Sequence, residues 1–245
     1  MGITVAIVGV GLIGGSLGLA LRDCPLVERV VGVDVDRRVL AEARAMGAVD
    51  ACASLQEAVA SADVVFLCCP MEAVEQLLQA MAPCLRAGAI VSDVGSCKRR
   101  VMEAFARCLP PSVQGIGGHP MAGAETTGIA GSDRYLFENA VYVLTPPPGV
   151  AAASMERLQS LVAATGARVL VMDADTHDVL VAAVSHLPHL VAAELVRVAS
   201  RQPEALVLAA GGFRDATRIA ASNPGMWEDI IFSNREAVLG QLEAM

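Results

Sequence analysis

Aromatic residues make up only 3% of this 245-residue chain, so its interior has to be built from Ala, Val and Leu rather than from stacked rings. Hydrophobic residues still reach 54%, ample for one large domain or two modest ones. An aliphatic core of this kind suits a parallel sheet covered by helices. Basic residues are outnumbered, 18 against 26 acidic, and they are scattered, which argues against nucleic acid or an anionic membrane as a partner. Any anionic ligand must therefore be held by local donors. Lysine is nearly missing, Lys98 being the only one. The seven cysteines contain no CxxC, are odd in number and mostly sit in apolar runs, and so read as reduced core thiols of a cytoplasmic protein. Charge is absent from Ile3 to Leu21, long enough for a membrane helix or a signal peptide. The five glycines inside that stretch and its lack of a basic flank favour strand, turn and helix instead.

What is present in that stretch is Val5-Ala6-Ile7-Val8-Gly9-Val10-Gly11-Leu12-Ile13-Gly14-Gly15-Ser16, a Gly-x-Gly-x-x-Gly signature between an apolar strand and a small-residue helix. Gly9 permits a tight turn, Gly11 lets a pyrophosphate approach the backbone, and Gly14 lets helix and strand pack closely. Asp34 ends the next apolar run 20 residues past Gly14, the spacing of a carboxylate that bonds a ribose 2′-hydroxyl. A carboxylate there repels a 2′-phosphate, so NAD is expected over NADP, with Arg37 and Arg38 nearby to soften the preference. The expected cofactor contacts are Gly9, Gly11, Leu12, Ile13, Gly14, Asp34 and Pro70, the last ending the apolar run from Val64.

Strand signals at Val5–Val8, Val30–Asp34, Val64–Cys69, Ala89–Val94, Gly115–Gly118, Val141–Thr145 and Arg168–Met172 alternate with helical segments. That predicts an α/β fold, a doubly wound Rossmann-type sheet over residues 1–172 with right-handed crossovers. Strand signals then vanish. Asp175 to Ser200 reads as one long helix capped by Asp175 or Thr176, and Glu204–Leu208, Arg214–Ala221 and Trp227–Leu242 complete an all-helical region over 173–245.

Only four histidines occur, so each is informative. His119, between glycines and a proline, is expected in an exposed loop after a strand end, where it either accepts a proton from a hydroxyl as hydride leaves or merely bonds backbone. Ser96, in Asp93-Val94-Gly95-Ser96-Cys97-Lys98, is a hydroxyl donor or simply a helix cap. His186 and His189 share a helical face around Pro188, which should bend the helix. No ligand set is completed around them, so no metal is expected, leaving a polar substrate pocket or satisfied core histidines. Asp215 and Arg218, three apart, are a guanidinium fork oriented toward a carboxylate or an ordinary surface pair.

Taken together, the glycine-rich motif, Asp93–Lys98, Gly118-His119-Pro120-Met121-Ala122-Gly123, Ser185-His186-Leu187-Pro188-His189 and Gly212 to Ala220 resemble the prephenate dehydrogenase family, which includes cyclohexadienyl and arogenate dehydrogenases. The resemblance implies NAD-dependent oxidative decarboxylation of prephenate in tyrosine biosynthesis, and an intertwined homodimer through a helical substrate and dimerisation domain. It implies His119 as the catalytic histidine and Ser96 as its partner on the ring hydroxyl. His189 and Arg218 are implied to hold substrate oxygens, Asp215 to position Arg218, Glu125 to stand at the pocket entrance, and Trp227 to line the pocket, from either subunit.

Relatives commonly continue beyond a point corresponding to Met245, and neither a chorismate mutase segment nor a separate regulatory domain is expected here. Arogenate is the nearest alternative substrate, His189 favouring the oxo acid. A β-hydroxyacid dehydrogenase should carry a lysine in its helical domain, and this chain has none there. A silent NAD sensor should have lost His119 or Arg218, and both are present.

Overall fold

The computed structural model describes residues 2–124 and 126–245. The chain divides into two compact units between Ala174 and Asp175. In the first unit β1 (Ile3–Val8), β2 (Val27–Val33), β3 (Ala51–Cys52), β4 (Val64–Leu67), β5 (Ile90–Asp93), β6 (Gln114–Pro120), β7 (Val141–Thr145) and β8 (Arg168–Val171) form one sheet in the order β3-β2-β1-β4-β5-β6-β7-β8. Its helices are α1 (Leu12–Leu21), α2 (Arg37–Ala45), α3 (Leu55–Ser61), α4 (Val74–Met81), α5 (Arg99–Cys108) and α6 (Ala152–Ala164).

The pleat sends Val64 and Phe66 of β4 into one apolar cluster and Val65 and Leu67 into another, so both sheet faces are covered. That is why β4 reads as an unbroken apolar run. Phe66 is fully inaccessible, and burying such a side chain contributes about 1.5–3 kcal/mol.

Strands β1 to β6 run parallel, whereas β7 pairs antiparallel with β6 and carries β8 parallel to itself. The reversal has a local cause. Between β6 and β7 the described residues form only one short 3₁₀ turn, Ile129–Gly131, and a parallel return needs a helical crossover. The segment packs on α1 instead: Ser132 Oγ donates to Leu12 C=O at 3.2 Å and Asp133 N–H donates to Ser16 Oγ at 2.9 Å. A Cβ on Gly15 would collide with Ser132. Two residues are all that β3 contains, too few to show alternation in sequence.

The second unit holds α7 (Ala174–Val181), a π turn at Ala182–His186, α8 (Leu187–Ala199), α9 (Pro203–Val207), α10 (Gly211–Thr217), a 3₁₀ turn at Arg218–Ala221, α11 (Pro224–Ser233) and α12 (Arg235–Ala244). The long helix starts at Ala174, which places Asp175 inside its first turn rather than at the cap. Pro188 has no N–H to give Val184, and just before it Leu187 N–H reaches back to Ala182 C=O, five residues away. The predicted helix over Trp227–Leu242 breaks at Asn234, whose amide is committed to other elements.

Candidate active site

In the first unit the candidate residues gather at the strand ends. Gly9 follows β1 with φ +93°, a conformation suited to glycine, and a Cβ there would collide with Cys68 C=O. A Cβ on Gly14 would strike Gly9 C=O, so the third glycine is what lets α1 start so close to β1. Gly11 has nothing within 4 Å of its Cβ position, and it caps α1 without a side-chain hydrogen bond. A dinucleotide pyrophosphate fits this cradle, because backbone N–H groups and the helix dipole face it with no side chain between. Leu12 and Ile13 form the first turn of α1, both half-buried.

Asp34 stands one residue past β2 with a second duty that spacing did not reveal. Its Oδ2 accepts Val10 N–H and its Oδ1 accepts Asp36 N–H, each at 3.0 Å. The carboxylate therefore shapes the glycine-rich turn while lone pairs remain for a ribose hydroxyl. Pro70 is exposed past the end of β4 and opens a 3₁₀ turn. Next to it, burial and then the Asp93 charge push the Cys69 thiol up to about 11, so it stays protonated.

His119 lies within β6 and is buried at 9% exposure, opposite Val143 of β7, rather than in an exposed loop. The strand runs through the glycines because β7 pairs with Gly117, Gly118, His119 and Pro120. Ser96 is half-buried in the loop between β5 and α5 and caps no helix; Lys98 occupies the N-cap of α5, without a side-chain cap bond. A buried ion pair, Asp93 with Lys98, lies between the two. Asp93 accepts Gly118 N–H at 3.0 Å and Gly95 N–H at 2.8 Å, and Lys98 Nζ donates to Gly118 C=O at 2.6 Å. Sequence alone assigned a role in this motif to Ser96 and none to Asp93 or Lys98. The missed signal was the lone lysine of the chain five residues past a strand-end aspartate.

In the helical unit His189 stacks on Trp227 with ring centroids 3.7 Å apart, and His186 meets the same indole edge-on at 6.2 Å. Asn234 Nδ2 donates to Asp178 C=O at 2.7 Å and contacts His186 Nδ1 at 3.2 Å, and His177 Nδ1 lies 2.8 Å from Asp178 Oδ1. Burial holds the His186 imidazole down to about 4, with His177 and His189 pushing the same way and Asp178 opposing. Burial lowers His189 too, against its hydrogen bond to the Ile219 backbone. Among the described residues, His189 Nδ1 and Trp227 Nε1 are buried without a hydrogen-bond partner. Ser92 Oγ, Tyr142 OH and Thr145 Oγ1 of the first unit are buried and unpaired in the same way. Asp215 lies in α10 and Arg218 opens the following 3₁₀ turn, both exposed. Glu125 lies outside the described residues.

Residues 17–171 match the family model of the prephenate dehydrogenase nucleotide-binding domain, and residues 173–245 that of the prephenate dehydrogenase dimerization domain. The chain is 36% identical over 246 residues to prephenate dehydrogenase of Bacillus subtilis, covering 98% of itself and 66% of that relative, so it spans just under two thirds of the latter's length. Among solved structures, prephenate dehydrogenase from Aquifex aeolicus in complex with hydroxyphenyl propionate and NAD+ superposes with a TM-score of 0.91 at 32% identity, covering 100% of this chain and 86% of that one. Synechocystis arogenate dehydrogenase gives 0.87 at 32% identity, covering 99% and 87%. On these matches, and on a fold whose strand ends carry the motifs, the chain belongs to the prephenate dehydrogenase family.

Proposed function

We propose that this chain is an NAD-dependent dehydrogenase that converts prephenate to 4-hydroxyphenylpyruvate and CO2 in tyrosine biosynthesis, working as a cytoplasmic homodimer. One observation carries the reading. Ser96 and His119 descend from adjacent strands tied to one buried carboxylate, on the sheet edge where β1 delivers the glycine-rich turn. Ligands of doubly wound sheets bind at that carboxyl edge.

Gly9, Gly11, Leu12, Ile13 and Gly14 shape the pyrophosphate site, Asp34 takes the ribose hydroxyl, and Pro70 borders the cleft. Bound NAD supplies the hydride acceptor. His119 takes the proton of the ring C4 hydroxyl as hydride leaves C4, and Ser96 hydrogen-bonds that hydroxyl and orients it. When the ring carboxylate departs as CO2, its bonding electrons make the ring aromatic, and His119 returns the proton to the phenol oxygen. Arg218, oriented by Asp215, holds a carboxylate, and Trp227 Nε1 donates to a side-chain oxygen.

Self-association is supported by the helical unit. Its run Ala174–Ala199 is 26 residues long and apolar enough to cross a membrane, yet only 28% of its most apolar window is buried. Val184, Val207, Leu208 and Phe232 are likewise exposed. A second copy covers such faces best in a domain of dimerization type.

One observation favours arogenate as a second substrate. A neutral His189 with its other nitrogen bonded to Ile219 presents Nδ1 as an acceptor, which suits an ammonium group better than a keto oxygen. The deciding experiment follows NADH formation with each substrate and with NAD or NADP, for wild type and His119→Asn. Prephenate turnover with NAD that collapses in the variant, with NAD binding retained, is expected. Turnover of arogenate alone moves the assignment to that substrate, and turnover of neither overturns the dehydrogenase reading.

A further inference from the structure

The β5–β6 ladder stops at Ser92 paired with Ile116, although β6 runs on through His119 to Pro120. Backbone groups beyond that pair need other partners. Gly118 finds them on side chains: its N–H donates to Asp93 Oδ1 and its C=O accepts from Lys98 Nζ. That carbonyl belongs to the peptide unit whose nitrogen is His119's own. The other carboxylate oxygen, Oδ2, takes both Lys98 Nζ and Gly95 N–H, one residue before Ser96.

We propose that the buried Asp93–Lys98 ion pair is a positioning device that sets the His119 imidazole and the Ser96 hydroxyl relative to one another. This rests on the dehydrogenase reading above. Neither residue needs to touch substrate, because the pair acts through the peptide groups of Gly118 and Gly95. Buried ion pairs gain little stability over apolar side chains of similar volume. Retaining one at full burial therefore points to what it holds in place.

The residue types fit that task. Every other basic residue of the chain is arginine, and Lys98 alone is lysine and fully buried. Its compact ammonium can meet a carboxylate and a carbonyl together in a space where a forked guanidinium cannot. A Cβ on Gly117 would strike Thr145 Oγ1 and would also stand tight against Met102 Sδ and Lys98 Cδ. Gly118 must likewise lack a side chain, because its Cβ would crowd Asp93 C=O and Ser92 Oγ. Gly118 thus lets the strand approach its clamp, while Gly117 fits under Thr145 of β7.

The test uses the full chain with Lys98→Met and the uncharged pair Asp93→Asn/Lys98→Met. Lys98→Met strands a buried carboxylate, so if it fails to fold the uncharged pair decides. Measured are kcat, KM, NAD affinity, the melting temperature and the histidine ring NMR signals, that of His119 being identified by its loss in His119→Asn. Misplacement by about 1 Å costs on the order of 10²-fold in rate, so kcat is expected to fall about 100-fold while KM and NAD affinity stay within about twofold. The His119 signal moves, and those of His177, His186 and His189 do not. Lys98→Arg does not restore kcat. A folded uncharged pair with wild-type kcat, or with an unmoved His119 signal, overturns the proposal. If wild type turns over no substrate, the dehydrogenase reading falls and the NMR signals still test the positioning.

Discussion

The two units place their polar groups by different means. In the first, backbone does the work: glycines bring strand and helix into contact, and the carboxylates of Asp34 and Asp93 bind peptide N–H groups to hold the turns. In the second, side chains hold one another, His189 against Trp227 and Asn234 between Asp178 and His186. The first unit buries its central strands on both faces and leaves only its edge strand β8 largely exposed, whereas the second leaves large apolar side chains such as Val207 and Phe232 in solvent on several helices. Central strands wrapped by helices of the same unit complete their own core, while the open apolar faces of a small helical unit are the kind of surface that the proposed second copy would cover.

Substitutions should separate the two. His119→Asn is expected to cut kcat by about 10²–10⁴-fold with NAD affinity unchanged, measured by steady-state kinetics and cofactor titration. Acid should strike the helical unit. Unfolded imidazole titrates near 6.5, but buried His186 near 4, so the unfolded chain binds the proton more tightly. The His186 contribution to stability should be flat above about pH 6.5 and fall by about 3 kcal/mol as pH drops toward 4, and His186→Gln should remove that part of the acid limb in chemical denaturation. Asp34→Asn removes the charge at the ribose position and weakens the Val10 bond, which should lower NAD affinity by about 1.5–3 kcal/mol and narrow its margin over NADP. Asn234→Ala leaves His186 and the Asp178 carbonyl unsatisfied and should lower the helical unit's stability by about 1–2 kcal/mol without altering NAD affinity. Equal losses of NAD affinity in Asn234→Ala and Asp34→Asn would break the comparison.

Legibility followed the range of the interactions. The apolar strands, the glycine spacing and Asp34 are local patterns, readable because strand, turn and helix each have their own period. The reversal of β7 was not readable, because it depends on the chain after His119 packing on α1. His119 looked like a loop residue among glycines and a proline, and only pairing with β7 makes it part of a strand. The break at Asn234 lies in a helix-compatible run, and it arises from bonds to residues 48 and 56 positions away.

By itself the sequence determined the class of fold, the aliphatic core, the glycine-rich turn with its acidic partner, and the few histidines available for proton transfer. Those follow from composition and from spacing along one strand or one helix. Tertiary structure alone decided that the Asp93–Lys98 pair clamps Gly118 of the neighbouring strand, and that the His189 ring lies flat on Trp227. Such pairings depend on where distant elements end in space, and no local period along the chain encodes that.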